Sequence, residues 1–152
     1  MACVSSVSFK VLVNGSKSDQ FKPSRGLRQG DPLSSYLFIS GQEILSKLLK
    51  KEFVLKNIDG VKVSARALPI THVMYVDDII LFSKATKNNV VAFVKCIQKY
   101  YTWSGQSLNN SKSGVFFFKY SVHQNQRAVK HILQMKNLKK DASIWVPPLF
   151  LV

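Results

Sequence analysis

The sequence MYVDDIILF, residues 74–82, places two adjacent carboxylates, Asp77 and Asp78, between two apolar and β-branched runs. Such runs on either side of a polar pair predict two strands, over about 70–76 and 79–83, that meet in a tight turn. Two like charges in apolar surroundings repel each other unless a cation joins them, and a divalent metal ion suits paired carboxylates. The alternative is a solvent-exposed Asp-Asp turn, and the sequence leaves both interpretations open.

The charge of the chain points to a polyanionic partner. The 152 residues include 22 Lys and Arg against 8 Asp and Glu, which gives a formal net charge of +14. The excess is greatest after Asp78, where eleven basic residues accompany one acid, Asp141. Nucleic acid is the first interpretation, before a membrane surface, and the alternative is a basic protein without a specific partner.

The remaining composition fits a folded domain, or part of one, with 46% hydrophobic residues. Cys3 and Cys96 are far apart and have no Cys-x-x-Cys spacing, which argues against a zinc site or a disulfide framework. Cys96 lies in an apolar helical pattern and is expected in the core. No apolar run approaches the length of a membrane span.

Turn and cap signals divide the chain into alternating strands and helices. Asn14-Gly15 predicts a type I′ hairpin between a strand at 7–13 and a return strand that reaches Phe21. Asp31 predicts the N-cap of a helix that continues to about Lys51. A second helix is predicted over 87–104, with Gly105 ending it and with inward-facing residues Val90, Val91, Val94, Ile97, Tyr100 and Tyr101. A strand over 113–120 and a helix over 124–136 complete an α+β fold.

The loop RGLRQGDPLS, residues 25–34, combines groups that bind phosphates and bases. Arg25 and Arg28 can pair with phosphates, and Gln29 can hydrogen-bond a base edge or a sugar. The glycines, including Gly30, allow close approach of the backbone to a ligand, and the helix that follows favours anions at its start. An ordinary capped turn with solvated arginines explains the same residues.

A third segment, SGQSLNNSKS at 104–113, reads alone as a polar loop. Together with the other two segments it makes Lys112 a candidate phosphate contact or proton donor.

These segments, in this order, resemble the reverse transcriptase domain of plant LINE-type (non-LTR) retrotransposons. The resemblance rests on RGLRQGDPLSSYLF at 25–38, HVMYVDDIILF at 72–82 and SGQSLNNSKS at 104–113, and it covers about residues 3–140. It implies a partial polymerase palm over 1–143, built as an antiparallel sheet with the Asp-Asp hairpin and packed on two to three helices. Residues 144–152 depart from the family pattern and are expected to form a divergent tail.

The resemblance also implies roles for the candidate residues. Asp77 and Asp78 would hold Mg²⁺ or Mn²⁺ in the catalytic centre, and Lys112 would lie near the nucleotide phosphates as a general acid. Gln29 and Gly30 would lie near the incoming nucleotide and the template. The partners that the resemblance implies are an RNA template, a DNA primer and a deoxynucleotide. No membrane partner is expected.

One departure limits the expected activity. The family needs a third carboxylate on a strand earlier than residue 25, and the only acid before Asp31 is Asp19, in a polar hairpin arm. Two carboxylates that point apart cannot fix two divalent ions. The sequence therefore predicts a truncated palm that is inactive as a polymerase alone. The alternatives are a domesticated, non-catalytic nucleic-acid-binding module and a chain without function.

Overall fold

The computed structural model describes residues 6–24, 26–28, 30–118, 123–137 and 150–151. Three helices lie in these ranges: α1 (Pro32–Val54), α2 (Lys87–Ser104) and α3 (His123–Leu133). The strands are β1 (Leu12–Val13), β2 (Ser16–Lys17), β3 (His72–Tyr75), β4 (Asp78–Phe82), β5 (Gly114–Phe116), β6 (Lys136–Asn137) and β7 (Phe150–Leu151). Within the described residues, no helix is both long and apolar enough to cross a membrane.

The chain divides into two compact units, residues 1–43 and 44–152. The first contains the hairpin of β1 and β2, which closes through Asn14 (φ 48°) and Gly15 (φ 82°). Positive φ at both central residues is the signature of a type I′ turn, so the predicted hairpin is confirmed. Pairing continues to Phe9 and Phe21, whose backbone groups exchange N–H···O bonds of 2.9 and 3.0 Å.

Helix α1 begins where the sequence predicted and ends three residues later than expected, at Val54. The Asp31 Oδ1 atom accepts a hydrogen bond of 2.9 Å from the Leu33 backbone N–H. This bond satisfies one of the free donors at the helix start, which confirms Asp31 as the cap. Leu45 and Leu49, in the C-terminal half of the helix, are buried.

The main sheet lies in the second unit, with strand order β3-β4-β7-β5-β6. Strands β3 and β4 pair antiparallel, but β4 with β7, β7 with β5, and β5 with β6 pair in parallel. The expectation of an antiparallel sheet therefore holds for the Asp-Asp hairpin and for the small β1–β2 pair. Helix α3 lies between β5 and β6, and such a helical crossover allows two paired strands to run in the same direction. The mixed α and β class is confirmed and is consistent with a partial palm.

The core draws its residues from all three helices and from strands β4 and β5. It consists of Leu45, Leu49, Ile58, Leu81, Val90, Phe93, Cys96, Ile97, Tyr100, Val115, Val129 and Leu133. Burial raises the pKa of the Cys96 thiol to about 11, and the charge of the nearby Glu52 adds to the rise. The prediction that Cys96 is a core residue is confirmed.

Both ends of α2 match the sequence prediction, and its buried face matches it in part. Gly105, at φ 69°, donates its backbone N–H to the Tyr101 carbonyl at 2.9 Å and ends the helix. Phe93 is buried although it was not predicted to face inward, whereas Val91 and Val94 are only half-buried. The run Val90–Val94 is apolar throughout, so its pattern alone did not fix which side faces inward.

The C-terminal elements are shorter than predicted. Strand β5 covers Gly114–Phe116 of the predicted 113–120, and residues 119–120 lie outside the described ranges. Helix α3 ends at Leu133 instead of residue 136. Gln134 follows it with φ 51°, and this left-handed conformation interrupts the helix.

Candidate functional site

The Asp-Asp pair lies at the tip of the β3–β4 hairpin. Tyr75 pairs with Asp78, so Val76 and Asp77 form a two-residue turn and Asp78 begins β4. Val76 has φ 52°. Positive φ at the first turn residue alone is the pattern of a type II′ turn, which normally has glycine there. A β-branched residue in this region carries backbone strain, and such strain is concentrated at functional sites.

Both aspartates are exposed, which fits the solvent-exposed Asp-Asp turn that the sequence left open beside the metal-bound pair. Packing in the core partly explains the apolar runs on either side of the aspartates, because Leu81 is buried there and Met74 and Ile79 pack against the core. The turn projects beyond that contact. Within the described residues neither carboxylate forms a hydrogen bond or an ion pair, and water therefore screens their mutual repulsion.

The carboxylates of Asp77 and Asp78 provide only part of the ligands that a divalent cation such as Mg²⁺ needs. One or two carboxylates, with water and substrate phosphates, are a common Mg²⁺ environment, and Asp77 and Asp78 provide such a pair. In the part of the chain that the structure describes, no three His, Cys, Asp or Glu residues form a metal-binding group. Asp19, the one acid before Asp31, is exposed and belongs to the first unit.

The loop before α1 is held to the first turn of that helix. The Ser34 hydroxyl donates a 2.6 Å hydrogen bond to the Arg28 carbonyl, which fixes the backbone and leaves the arginine side chain exposed. Gly26 (φ 92°) and Gly30 (φ 81°) adopt a conformation that other residues resist. Arg25 and Gln29 lie outside the described residues.

A cavity of about 60 Å³ lies beside this loop, and sequence reasoning did not identify it. Its lining is mainly apolar, with Arg28, Asp31 and Ser34 as its polar members; the other residues are Val7, Phe9, Pro23, Gly26, Leu27, Leu33 and Leu37. The spacing of Leu33 and Leu37, one helical turn apart, was the signal that the sequence offered.

Lys112 lies in a turn that Asn109 organises. The Asn109 side-chain oxygen accepts backbone N–H groups from Ser111 and Lys112 at 3.2 and 3.3 Å, and its carbonyl accepts the Ser113 hydroxyl at 2.8 Å. The Lys112 side chain is exposed and, among the described residues, forms no ion pair with Asp77 or Asp78. Its role near phosphates stays a prediction. The sequence analysis did not single out Asn109, although an asparagine side chain often accepts the backbone N–H two residues on, as it does here from Ser111.

His72 anchors the first strand of the hairpin. Its Nε2 lies 2.8 Å from the Ser46 Oγ on α1, and its Nδ1 lies 2.8 Å from the Thr71 Oγ1. Burial lowers the pKa of His72 below its usual value of 6.5. A neutral imidazole therefore connects β3 to α1 near neutral pH.

Comparison with known proteins supplies three findings. The sequence profile of a family described as reverse transcriptase (RNA-dependent DNA polymerase) matches residues 2–139. A segment of 67 residues is 43% identical to an uncharacterized mitochondrial protein of Arabidopsis thaliana, which corresponds to 44% of this chain and 55% of that protein. The chain thus spans about half the length of this curated relative. No solved structure matches the chain.

Proposed function

Because the chain belongs to the reverse transcriptase family, we propose that it is a partial LINE-type palm that binds nucleic acid but does not synthesise DNA alone. The observation that carries the proposal is the Asp77–Asp78 hairpin. It supplies two exposed carboxylates, and the described residues add no third acid to form a metal-binding group with them.

The loop before α1 supports binding of a template or a nucleotide. Arg28 is exposed on a fixed backbone, next to a capped helix start that favours anions. Arg25 and Arg28 would pair with phosphates, while Gln29 and Gly30 would contact the incoming nucleotide and the template. The substrates would be an RNA template, a DNA primer and a deoxynucleotide.

Reverse transcriptases generally use divalent metal ions, and Asp77 and Asp78 are the residues that would hold Mg²⁺ or Mn²⁺ here. When bound, the metal would neutralise charge that develops on the transferred phosphate. Lys112 would donate a proton or a hydrogen bond to the same phosphates. With two carboxylates instead of three, the chain would hold the metal too weakly to position both reacting oxygens, which explains the proposed inactivity.

Primer extension on the purified chain tests this proposal. With an RNA template, a DNA primer, deoxynucleotides and either Mg²⁺ or Mn²⁺, we expect no incorporation above that of the Asp77→Asn/Asp78→Asn variant. Template-dependent incorporation that the double substitution abolishes would contradict the proposed inactivity.

Binding is tested separately, with a labelled primer–template in a gel-shift titration. We expect Arg28→Gln to weaken binding by roughly five-fold through loss of a charge-assisted phosphate contact. Lys22→Gln removes the same charge from another exposed position of the first unit and serves as the control. Equal affinity of the two variants would contradict a specific role of the loop.

A second candidate is a non-catalytic nucleic-acid-binding module. The net charge of +14 favours it, as does the lack of any hydrogen bond or ion pair of the two aspartate carboxylates within the described residues. Binding that persists without metal and after the Asp77→Asn/Asp78→Asn change would support the module. Binding that requires Mg²⁺ and both aspartates would favour a retained polymerase site.

A further inference from the structure

We propose that the solvent-facing side of α2 is a second contact surface, specific for single-stranded nucleic acid, formed by Lys95, Lys99 and Trp103. We call these three residues the α2 stripe. None of them belongs to the hairpin, the loop before α1 or the Lys112 turn, so the proposal extends the proposed function to a separate surface.

The stripe combines an exposed aromatic ring with two cations on one side of a helix. Its residues recur every four positions, so their side chains lie above one another on one helix face. Trp103 is 59% exposed, and the Lys99 Nζ lies 5.0 Å from the centre of its ring. The opposite face of α2 is buried against the core through Phe93, Ile97 and other residues, so packing leaves the stripe uncovered by any described element.

The spacing of the two lysines suits a phosphate backbone. Four residues of helix rise by about 6 Å, which is comparable to the separation of neighbouring phosphates in an extended strand. Positively charged tracks with aromatic side chains are how proteins bind single strands without sequence preference: cations follow the backbone and the aromatic ring stacks on a base. Lys95 and Lys99 would contact phosphates, and Trp103 would stack on the base.

The electrostatic surroundings leave the cations available. Helix α2 contains no acidic residue. The charge of Glu52, like that of Lys99, affects the pKa of the Cys96 thiol. The Glu52 carboxylate accepts a 2.7 Å hydrogen bond from the Asn57 side chain. Among the described residues, Lys95 and Lys99 form no ion pair. A polyanion is therefore the complementary ligand.

The polar neighbours of the stripe argue against a lipid surface. The exposed side of α2 also carries Asn88, Gln98 and Thr102, and Trp103 is its one large exposed apolar side chain. A helix that lies in a membrane interface needs a broad apolar face, which this side lacks. A single aromatic ring beside cations fits a nucleobase better.

Tryptophan fluorescence tests the stripe directly. The sequence has two tryptophans, and Trp145→Phe leaves Trp103 as the sole reporter in the full chain. Titration with a twelve-nucleotide oligouridylate at low salt should quench this fluorescence saturably, because a base stacks on the indole. In the same background, Lys95→Gln/Lys99→Gln should weaken binding about ten-fold, and Trp103→Leu, followed by anisotropy of a labelled oligonucleotide, should weaken it by a similar factor.

Lys87→Gln is the matched control, because Lys87 is exposed on the same helix but does not belong to the stripe. We expect it to change affinity less than two-fold, and far-UV circular dichroism should show that all variants are folded. If the stripe variants bind as tightly as Lys87→Gln, the inference is wrong. Equal quenching by vesicles of anionic phospholipid, or equal affinity for a duplex, would also overturn it.

The outcome is separable from that of the proposed function. If Arg28→Gln weakens binding while the stripe variants do not, the proposed function survives and this inference fails. If the stripe variants weaken binding while Arg28→Gln equals its control, the loop assignment fails and the stripe is supported.

Discussion

At the residue scale, Val76 is the position where local preference and observed conformation disagree most. Valine resists positive φ because its branched Cβ crowds the backbone, yet it has φ 52° at the hairpin tip. The strand pairing on both sides imposes this geometry, since Tyr75 and Asp78 must face each other. The free-energy cost of this backbone strain is therefore confined to the turn and should be measurable.

We expect Val76→Gly to be more stable than a matched valine-to-glycine change by roughly 1 kcal/mol or more, because it releases backbone strain. Val63→Gly is the control: Val63 is 82% exposed and does not have positive φ, so both variants share the change in unfolded-state entropy. Urea denaturation measures the difference. A Val76→Gly variant no more stable than Val63→Gly would mean that the turn is unstrained.

His72 supplies a pH-dependent contribution to stability. Because burial lowers its pKa in the folded state, the unfolded chain takes up a proton that the folded chain resists as pH falls below about 6.5. Stability should therefore decrease on acidification through this range, by at most about 1.4 kcal/mol per pH unit for one site, and stay level above it. Urea midpoints at pH 7.5 and 5.5 should show a smaller decrease for His72→Gln. An equal decrease in both proteins would assign the effect to other groups.

At the element scale, a buried asparagine joins segments that are distant in sequence. Asn89 is 3% exposed. Its Nδ2 donates to the Thr86 hydroxyl at 2.8 Å and lies 3.3 Å from both the Lys84 carbonyl and the Asp59 carboxylate. Its Oδ1 accepts the Asp59 backbone N–H at 2.7 Å. This network connects the start of α2 to the loop that follows α1.

Asn89→Ala should lower the free energy of unfolding by about 2 kcal/mol, because it removes these bonds and leaves the half-buried Asp59 N–H without its acceptor. Asn88→Ala is the natural control: it is the adjacent residue, on the same helix, and it is exposed. Its effect should stay within about 0.5 kcal/mol. Similar losses in both variants, measured by thermal or urea unfolding, would show that helix propensity rather than the network accounts for the change.

The elements that the sequence predicted well are those with signals inside a few residues. Asn14-Gly15, Asp31 and Gly105 each determine a turn or a cap locally, and the structure has all three. The Asn89 network was not predictable in this way, since Asp59 lies thirty residues earlier. Parallel pairing of two-residue and three-residue strands also depends on tertiary packing, because such short strands carry little periodicity.

In the candidate site, too, local signals were predictable from the sequence, whereas features that depend on tertiary packing were not. The apolar runs around Asp77 and Asp78 predicted a hairpin with the pair at its turn, and the structure has the hairpin, with Asp77 in the turn and Asp78 as the first residue of β4. Their exposure depends on how far the turn projects beyond the core, which no local pattern encodes. The relation of Lys112 to the pair depends on the packing of distant segments, and it stays a prediction.

At the scale of the whole molecule, the excess of positive charge should govern association with nucleic acid. Net charge sets long-range attraction and its screening by salt rather than the fold. The charge is +14 over 152 residues, and the candidate contacts on Arg28, Lys95 and Lys99 are all exposed. Release of counterions should therefore contribute a large part of the binding free energy.

We expect the logarithm of the binding constant for a twelve-nucleotide RNA to fall with the logarithm of salt concentration with a slope of about −3, corresponding to about four neutralised phosphates. Between 50 and 200 mM NaCl the affinity should then fall roughly 60-fold. Fluorescence anisotropy of a labelled RNA measures the slope, and the uncharged dye alone serves as the control. A slope near zero would indicate that charge does not drive the association.

The edge position of β3 affects how the protein should be handled in concentrated solution. In the described part of the chain, β3 pairs with β4 alone, and its exposed residues Val73 and Tyr75 are apolar or aromatic. Open, apolar edges recruit strands from other molecules. Samples should therefore form larger species as concentration rises, and Val73→Lys should delay their appearance in light scattering, because a charge on an edge strand discourages intermolecular pairing.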